Sequence, residues 1–125
     1  MAKFFKCSKC PSFVVKLNDE GCNPSCCGQP MTELVENTVD AAKEKHVPVV
    51  AIEGNAVEVR VGSVAHPMLD VHWIPYIALE TNFGLSIRYL NPGDKPVARF
   101  ALAEGEKAIA ALAYCNLHGL WKKEI

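Results

Sequence analysis

Metal-ligating residues are segregated along this chain, and that constrains its fold more than any other feature. Five of the six cysteines lie before residue 38, in a stretch without histidine. All four histidines (His46, His66, His72 and His118) lie in the remainder, with Cys115. Such a chain has to assemble two separate donor sets. It therefore reads as two modules, residues 1–37 and residues 38–125.

The first set is carried by Cys7-Ser8-Lys9-Cys10 and the adjacent pair Cys26-Cys27. Two ligand pairs separated by a hairpin make a tetrahedral four-thiolate site for iron or zinc. Adjacent cysteines leave the backbone in different directions, which predicts a distorted tetrahedron. Pro11 directly follows Cys10 and has no N–H to give to a ligand sulfur. That loss predicts a shifted potential for an iron site. Cys22 is left over and reads as a free thiol. Three disulfides are the alternative use of six cysteines. The start, Met1-Ala2-Lys3-Phe4-Phe5-Lys6-Cys7, lacks the apolar segment of a secretory signal. The expected location is thus the reducing cytoplasm, where metal ligation prevails over disulfides.

The second set lies in turn-prone segments: Lys45-His46-Val47-Pro48, Ala65-His66-Pro67, Val71-His72-Trp73 and Cys115-Asn116-Leu117-His118-Gly119. A single histidine beside an aromatic, as His72 is beside Trp73, is usually a packed structural residue. Four histidines with none to spare favour one shared site instead. Four imidazoles and a thiolate exceed the ligand number of tetrahedral zinc. With a position left open, they suit a transition metal that does chemistry. Ferrous iron in that shell keeps a net positive charge and draws a small anion. Lys45, immediately before His46, reads equally as a surface lysine or as a cation strengthening that attraction. Glu44 reads equally as a solvated side chain or as a carboxylate that closes the open position on ferric iron. Pro48 and Pro67 restrict the backbone beside two of the histidines.

The second module reads as β. Val57, Val59 and Val61 alternate with Glu58 and Arg60, the period of a half-buried strand. Strands are expected at residues 73–79 and 85–90, around a hairpin at Asn82-Phe83-Gly84, and again at 97–102 and 109–114. The last is alanine-rich and helical on propensity alone, but short, regularly spaced strands favour a sandwich. Residues 13–17 read as a strand of the first module, and residues 40–45 as a helical turn or a loop. Half of the 125 residues are hydrophobic, enough to bury a core, and no apolar run is long enough for a membrane span. A net charge of −1 argues against nucleic-acid binding. Lys3, Lys6 and Lys9 read as a solvated face around the first knuckle.

Taken together, the motifs resemble the desulfoferrodoxin family of two-iron superoxide reductases over essentially the whole chain. They are Cys7-x-x-Cys10, Cys26-Cys27-Gly28-Gln29-Pro30-Met31, Ala41-Ala42-Lys43-Glu44-Lys45-His46-Val47-Pro48-Val49, Val61-Gly62-Ser63-Val64-Ala65-His66-Pro67-Met68, His72-Trp73 and Cys115-Asn116-Leu117-His118-Gly119-Leu120-Trp121. The resemblance implies an all-β homodimer: a small desulforedoxin-like module, then an immunoglobulin-like β-sandwich with the catalytic iron at one exposed end. Cys7, Cys10, Cys26 and Cys27 would hold a rubredoxin-like iron. His46, His66, His72 and His118 would be equatorial ligands of the second iron, with Cys115 axial. Glu44 matches the carboxylate that closes the oxidised site, and Lys45 the lysine that attracts superoxide and assists protonation. The implied activity is one-electron reduction of superoxide to hydrogen peroxide, without dioxygen, in an anaerobe. An external donor such as rubredoxin would restore ferrous iron. Pro11, where the family has glycine, and the extra Cys22 depart from the pattern, and zinc is a second candidate for the first site. Two other classes fit parts of the chain: a one-electron carrier using the four-thiolate site alone, and a zinc-ribbon interaction module. Neither gives the five-donor set a task.

Overall fold

In the computed structural model, which describes residues 2–125, the chain divides into two compact units. The first ends at Val35 and the second spans Glu36–Ile125. Regular structure is almost entirely β, and among the described residues no helix is long and apolar enough to cross a membrane.

In the first unit β1 (Lys3–Lys6) pairs antiparallel with β2 (Phe13–Lys16). A minimal hairpin follows, β3 (Ser25–Cys26) and β4 (Gln29–Pro30), and β5 (Thr32–Glu33) closes the other edge of β1. Alternation along β1 sends Phe5 inward, where it packs with Cys7 and Met31 and against Cys10, Val14 and Cys26. The turn between β3 and β4 is Cys27-Gly28, with φ of 53° and 76°. Two successive positive φ values define a type I′ turn, whose twist matches that of a two-residue hairpin. Glycine adopts it freely.

The second unit opens with a single helical turn, α1 (Lys43–His46), resolving the helix-or-loop alternative for this segment. Two hairpins follow, β6 (Pro48–Glu53) with β7 (Ala56–Val61) and β8 (Tyr76–Thr81) with β9 (Gly84–Tyr89). The chain then runs through β10 (Val97–Ala101), β11 (Ala108–Cys115) and β12 (Gly119–Glu124). These strands form two antiparallel sheets, ordered β10-β7-β6 and β12-β11-β8-β9. This is the two-layer arrangement of an immunoglobulin-like sandwich. The interior is filled by Val57, Val59 and Val61 from one sheet and Ile77, Leu79, Ala111 and Ala113 from the other.

Period two on β11 continues the inward row of Ala111 and Ala113 to Cys115, which is fully buried at the strand's end. The alanine-rich segment is a strand despite its helical propensity because β11 is paired on both edges, with β8 and β12. Tertiary pairing outweighs a propensity difference of a few tenths of a kcal/mol per residue. The strand expected from Trp73 begins only at Tyr76. Pro75 has no N–H for a ladder, and the residues before it serve the loop that carries His72.

Candidate metal centres

The four cysteines of the first unit converge. Their sulfurs all lie within 4.8 Å of one another, and each cysteine is free of disulfides. Cys10 and Cys26 sulfurs are 3.5 Å apart, Cys26 and Cys27 sulfurs 3.8 Å. Four sulfurs each about 2.3 Å from a metal sit about 3.8 Å from one another in a tetrahedron. The adjacent pair therefore spans an undistorted edge. The left-handed backbone at Cys27 supplies what an extended chain would deny. Four close thiols do not all ionise together. Cys10 is lowered to about 6, chiefly by the Ser12 hydroxyl, while Cys27 is pushed up to about 12, chiefly by the Cys10 sulfur beside it. A bound cation removes that conflict, so the donor set fits a metal.

Donors to the sulfurs come from the knuckle. Cys7 Sγ accepts from the Lys9 and Cys10 N–H groups, each at 3.4 Å. The Ser12 backbone N–H acts with its hydroxyl to lower the Cys10 pKa. Pro11 thus deletes no bond that this knuckle uses, because the donor stands one residue further on. Cys22 is exposed and lies outside the cluster.

In the second unit the four imidazoles form a square. Neighbouring rings are T-shaped, with centroids 4.6 Å (His46–His66), 4.7 Å (His66–His72), 5.1 Å (His72–His118) and 4.9 Å (His46–His118) apart. Across the square, His46 and His72 are stacked at 6.5 Å. His46 Nε2 lies 3.1 Å from both His66 Nε2 and His118 Nδ1. Nitrogens about 2.1 Å from one metal and at right angles to each other lie about 3.0 Å apart. The buried Cys115 sulfur is 3.8 Å from His118 Nδ1 and gathers with His46, His66 and His72 within 4.8 Å.

Proton bookkeeping shows that the square suits a cation. Carbonyl oxygens only accept, so His46 Nδ1–H donates to Ala42 O and His66 Nδ1–H to Pro67 O, both at 2.7 Å. Each Nε2 then presents a lone pair, and the two lone pairs face one another. Burial lowers the pKa of His46 and His72 and brings His66 to about 4, so no imidazolium proton fills the gap near neutrality. His72 Nε2 is buried without a hydrogen-bond partner. Burial raises the Cys115 thiol, opposed by the Leu117 and His118 backbone N–H groups. A metal would ionise that thiol and satisfy every inward nitrogen.

Three residues that sequence reasoning did not single out hold the ligands. Asn116 grips both peptide groups flanking His72: Trp73 N–H donates to Oδ1 at 2.9 Å, and Nδ2 donates to Val71 O at 3.0 Å. Trp121 is buried with its ring 5.0 Å from that of His46, and its Nε1–H donates to His118 O at 3.1 Å. Gly62 lies against the helical turn; a Cβ there would stand 2.7 Å from Glu44 O and 2.9 Å from Val47 O. The Glu44 carbonyl is further held by Val64 N–H at 2.9 Å and Ser63 Oγ–H at 3.2 Å. Glu44 and Lys45 themselves are exposed on that turn. Their charges reach the square: Glu44 raises and Lys45 lowers the His46 pKa, and Lys45 also lowers that of His72. Asn116, Trp121 and Gly62 all lie inside the recognised motifs, but nothing in their spacing distinguishes a strut from a spacer.

A β-sandwich with a square of imidazoles beside the buried Cys115 sulfur, together with a four-cysteine knuckle, defines a two-centre metalloprotein. The desulfoferrodoxin family model matches residues 38–124. The chain is 48% identical to the desulfoferrodoxin of Syntrophotalea carbinolica over 120 residues, 96% of this chain and 94% of that protein. It is 45% identical to that of Nitratidesulfovibrio vulgaris over 122 residues, 98% of this chain and 95% of that one. The structure is similar to that of the superoxide reductase from Treponema pallidum, with a TM-score of 0.87, 36% identity and 99% of each chain covered. The chain belongs to the desulfoferrodoxin family.

Proposed function

We propose that this protein is a superoxide reductase, which adds one electron and two protons to superoxide and yields hydrogen peroxide without dioxygen. The observation that carries this reading is the square of four inward imidazole nitrogens beside the Cys115 sulfur, in a chain so similar to a superoxide reductase. His46, His66, His72, His118 and Cys115 would hold an iron ion, which supplies the electron when ferrous. Cys115, buried at the end of the interior row, would supply its sulfur to that ion, whose charge would attract a small anion.

Lys45 contributes charge and protons. Its exposed ammonium sits directly before a ligand and acts on both His46 and His72. A cation there raises the local concentration of an anionic substrate, and its N–H groups order water that delivers protons. Glu44, one residue earlier on the same turn, would be the carboxylate available to cap the oxidised ion. Gly62, Ser63 and Val64 fix the backbone from which both side chains project.

Residues 1–37 form the desulforedoxin-like module, with Cys7, Cys10, Cys26 and Cys27 around a second iron, and residues 38–125 the catalytic domain. An external donor of the rubredoxin kind returns the electron. The protein works as a homodimer in the cytoplasm of an anaerobe. The test is metal analysis of anaerobically prepared protein, with visible spectra before and after superoxide. Two irons per chain, one oxidised promptly, are expected. Zinc alone, or iron inert to superoxide, would leave only the carrier or structural-module readings.

A further inference from the structure

We infer that the Ser12 hydroxyl donates a hydrogen bond to the Cys10 sulfur and raises the reduction potential of iron held by the four cysteines. The inference rests on the reading of that centre as an iron site.

Ser12 Oγ lies 3.3 Å from Cys10 Sγ, within hydrogen-bond reach of a sulfur. A metal-bound thiolate carries no proton, so in the loaded centre the hydroxyl must be the donor. The serine is placed for this by backbone alone. Its carbonyl accepts the Cys7 N–H at 3.0 Å and closes the knuckle, and Pro11 fixes φ immediately before it. Cys10 consequently has the Ser12 hydroxyl as its side-chain neighbour. The second ligand pair differs. Cys26 Sγ lies 3.5 Å from Cys10 Sγ and 3.8 Å from Cys27 Sγ, whereas the backbone N–H groups of Lys9 and Cys10 meet Cys7. Hydrogen bonding is thus concentrated on the first knuckle, and Ser12 supplies its side-chain component.

The direction of the effect follows from charge. Reduction places more negative charge on the sulfurs, and a donor stabilises the charge-rich state more than the oxidised one. Removing the hydroxyl should lower the potential. It should also shift the thiolate-to-iron charge-transfer band to lower energy, because the sulfur lone pair is no longer held down.

The test compares the full chain with Ser12→Ala and Ser12→Thr. Redox titration of the iron-loaded protein, followed by its visible bands, should give a lower potential and red-shifted bands for Ser12→Ala. Ser12→Thr, which keeps the hydroxyl, should restore both. An unchanged potential in Ser12→Ala, or the same shift in both variants, overturns the inference. Cobalt-loaded protein supplies an independent arm. Its thiolate-to-cobalt band should move in Ser12→Ala and return in Ser12→Thr. If the first centre accepts zinc or cobalt but never iron, the iron reading fails, while the cobalt band still decides the role of Ser12.

Discussion

Replacing Asn116 with alanine should loosen the catalytic centre without touching a ligand. The side chain makes two hydrogen bonds, one to each peptide group flanking His72. A net contribution of about 1 kcal/mol for each gives about 2 kcal/mol. In the metal-free protein that loss should lower the Tm of the Glu36–Ile125 unit by about 10 °C, at about 4–8 °C per kcal/mol for a domain of this size. The turn that holds His72 is closed independently by its own bridge, with Leu69 N–H donating to His72 O at 2.8 Å. The variant should therefore fold, with that turn still joined to the Cys115–His118 loop by the residue 116 backbone N–H, which donates to Trp73 O at 3.3 Å, but without the side-chain clamp. If the whole loss falls on metal holding, affinity drops about 30-fold, since about 1.4 kcal/mol is tenfold. Thermal unfolding by circular dichroism and iron release to a chelator measure the two quantities. Unchanged Tm together with unchanged release would refute the assignment of Asn116 as the strut that sets His72.

Gly62→Ala should displace the turn bearing Glu44, Lys45 and His46, because its Cβ meets backbone atoms that cannot rotate away. A cost of about 1–3 kcal/mol is expected, read by chemical denaturation, with weakened iron binding. Lys45→Ala should slow the reaction with superoxide and flatten its dependence on ionic strength, measured by stopped flow or pulse radiolysis; a rate indistinguishable from the parent protein would remove Lys45 from the mechanism. Metal-free protein should lose stability as pH falls. The folded-state pKa of His66 is about 4 against an ordinary 6.5, so the folded form binds fewer protons between those values. Its contribution is complete above about 6.5 and lost as pH falls towards about 4. Denaturation midpoints across that window should decline for the parent protein and stay flatter for His66→Phe.

Both donor sets were legible because ligands announce themselves by residue type and spacing. Alternating Val57, Val59 and Val61 likewise announced a buried strand. Other features depended on contacts that spacing does not encode. Cys26-Cys27 reads as an awkward pair until the positive φ at Cys27 brings the two sulfurs into line. The alanines of β11 favour a helix locally and become a strand because two neighbours pair with it. Pro11 signals a lost donor, whereas the knuckle takes its N–H and a hydroxyl from Ser12. Asn116 and Gly62 act on segments distant in sequence, 71–73 and 44–47, so their roles exist only once the loops are assembled.

Product stoichiometry tests the central claim most directly. The reduced, iron-loaded protein is mixed anaerobically with a known amount of superoxide, and hydrogen peroxide and dioxygen are measured together. Reduction predicts one peroxide for each superoxide consumed and no dioxygen, with iron oxidised in step. Dioxygen appearing alongside half as much peroxide would mark dismutation, and iron that stays ferrous would mark a site that does not use superoxide at all.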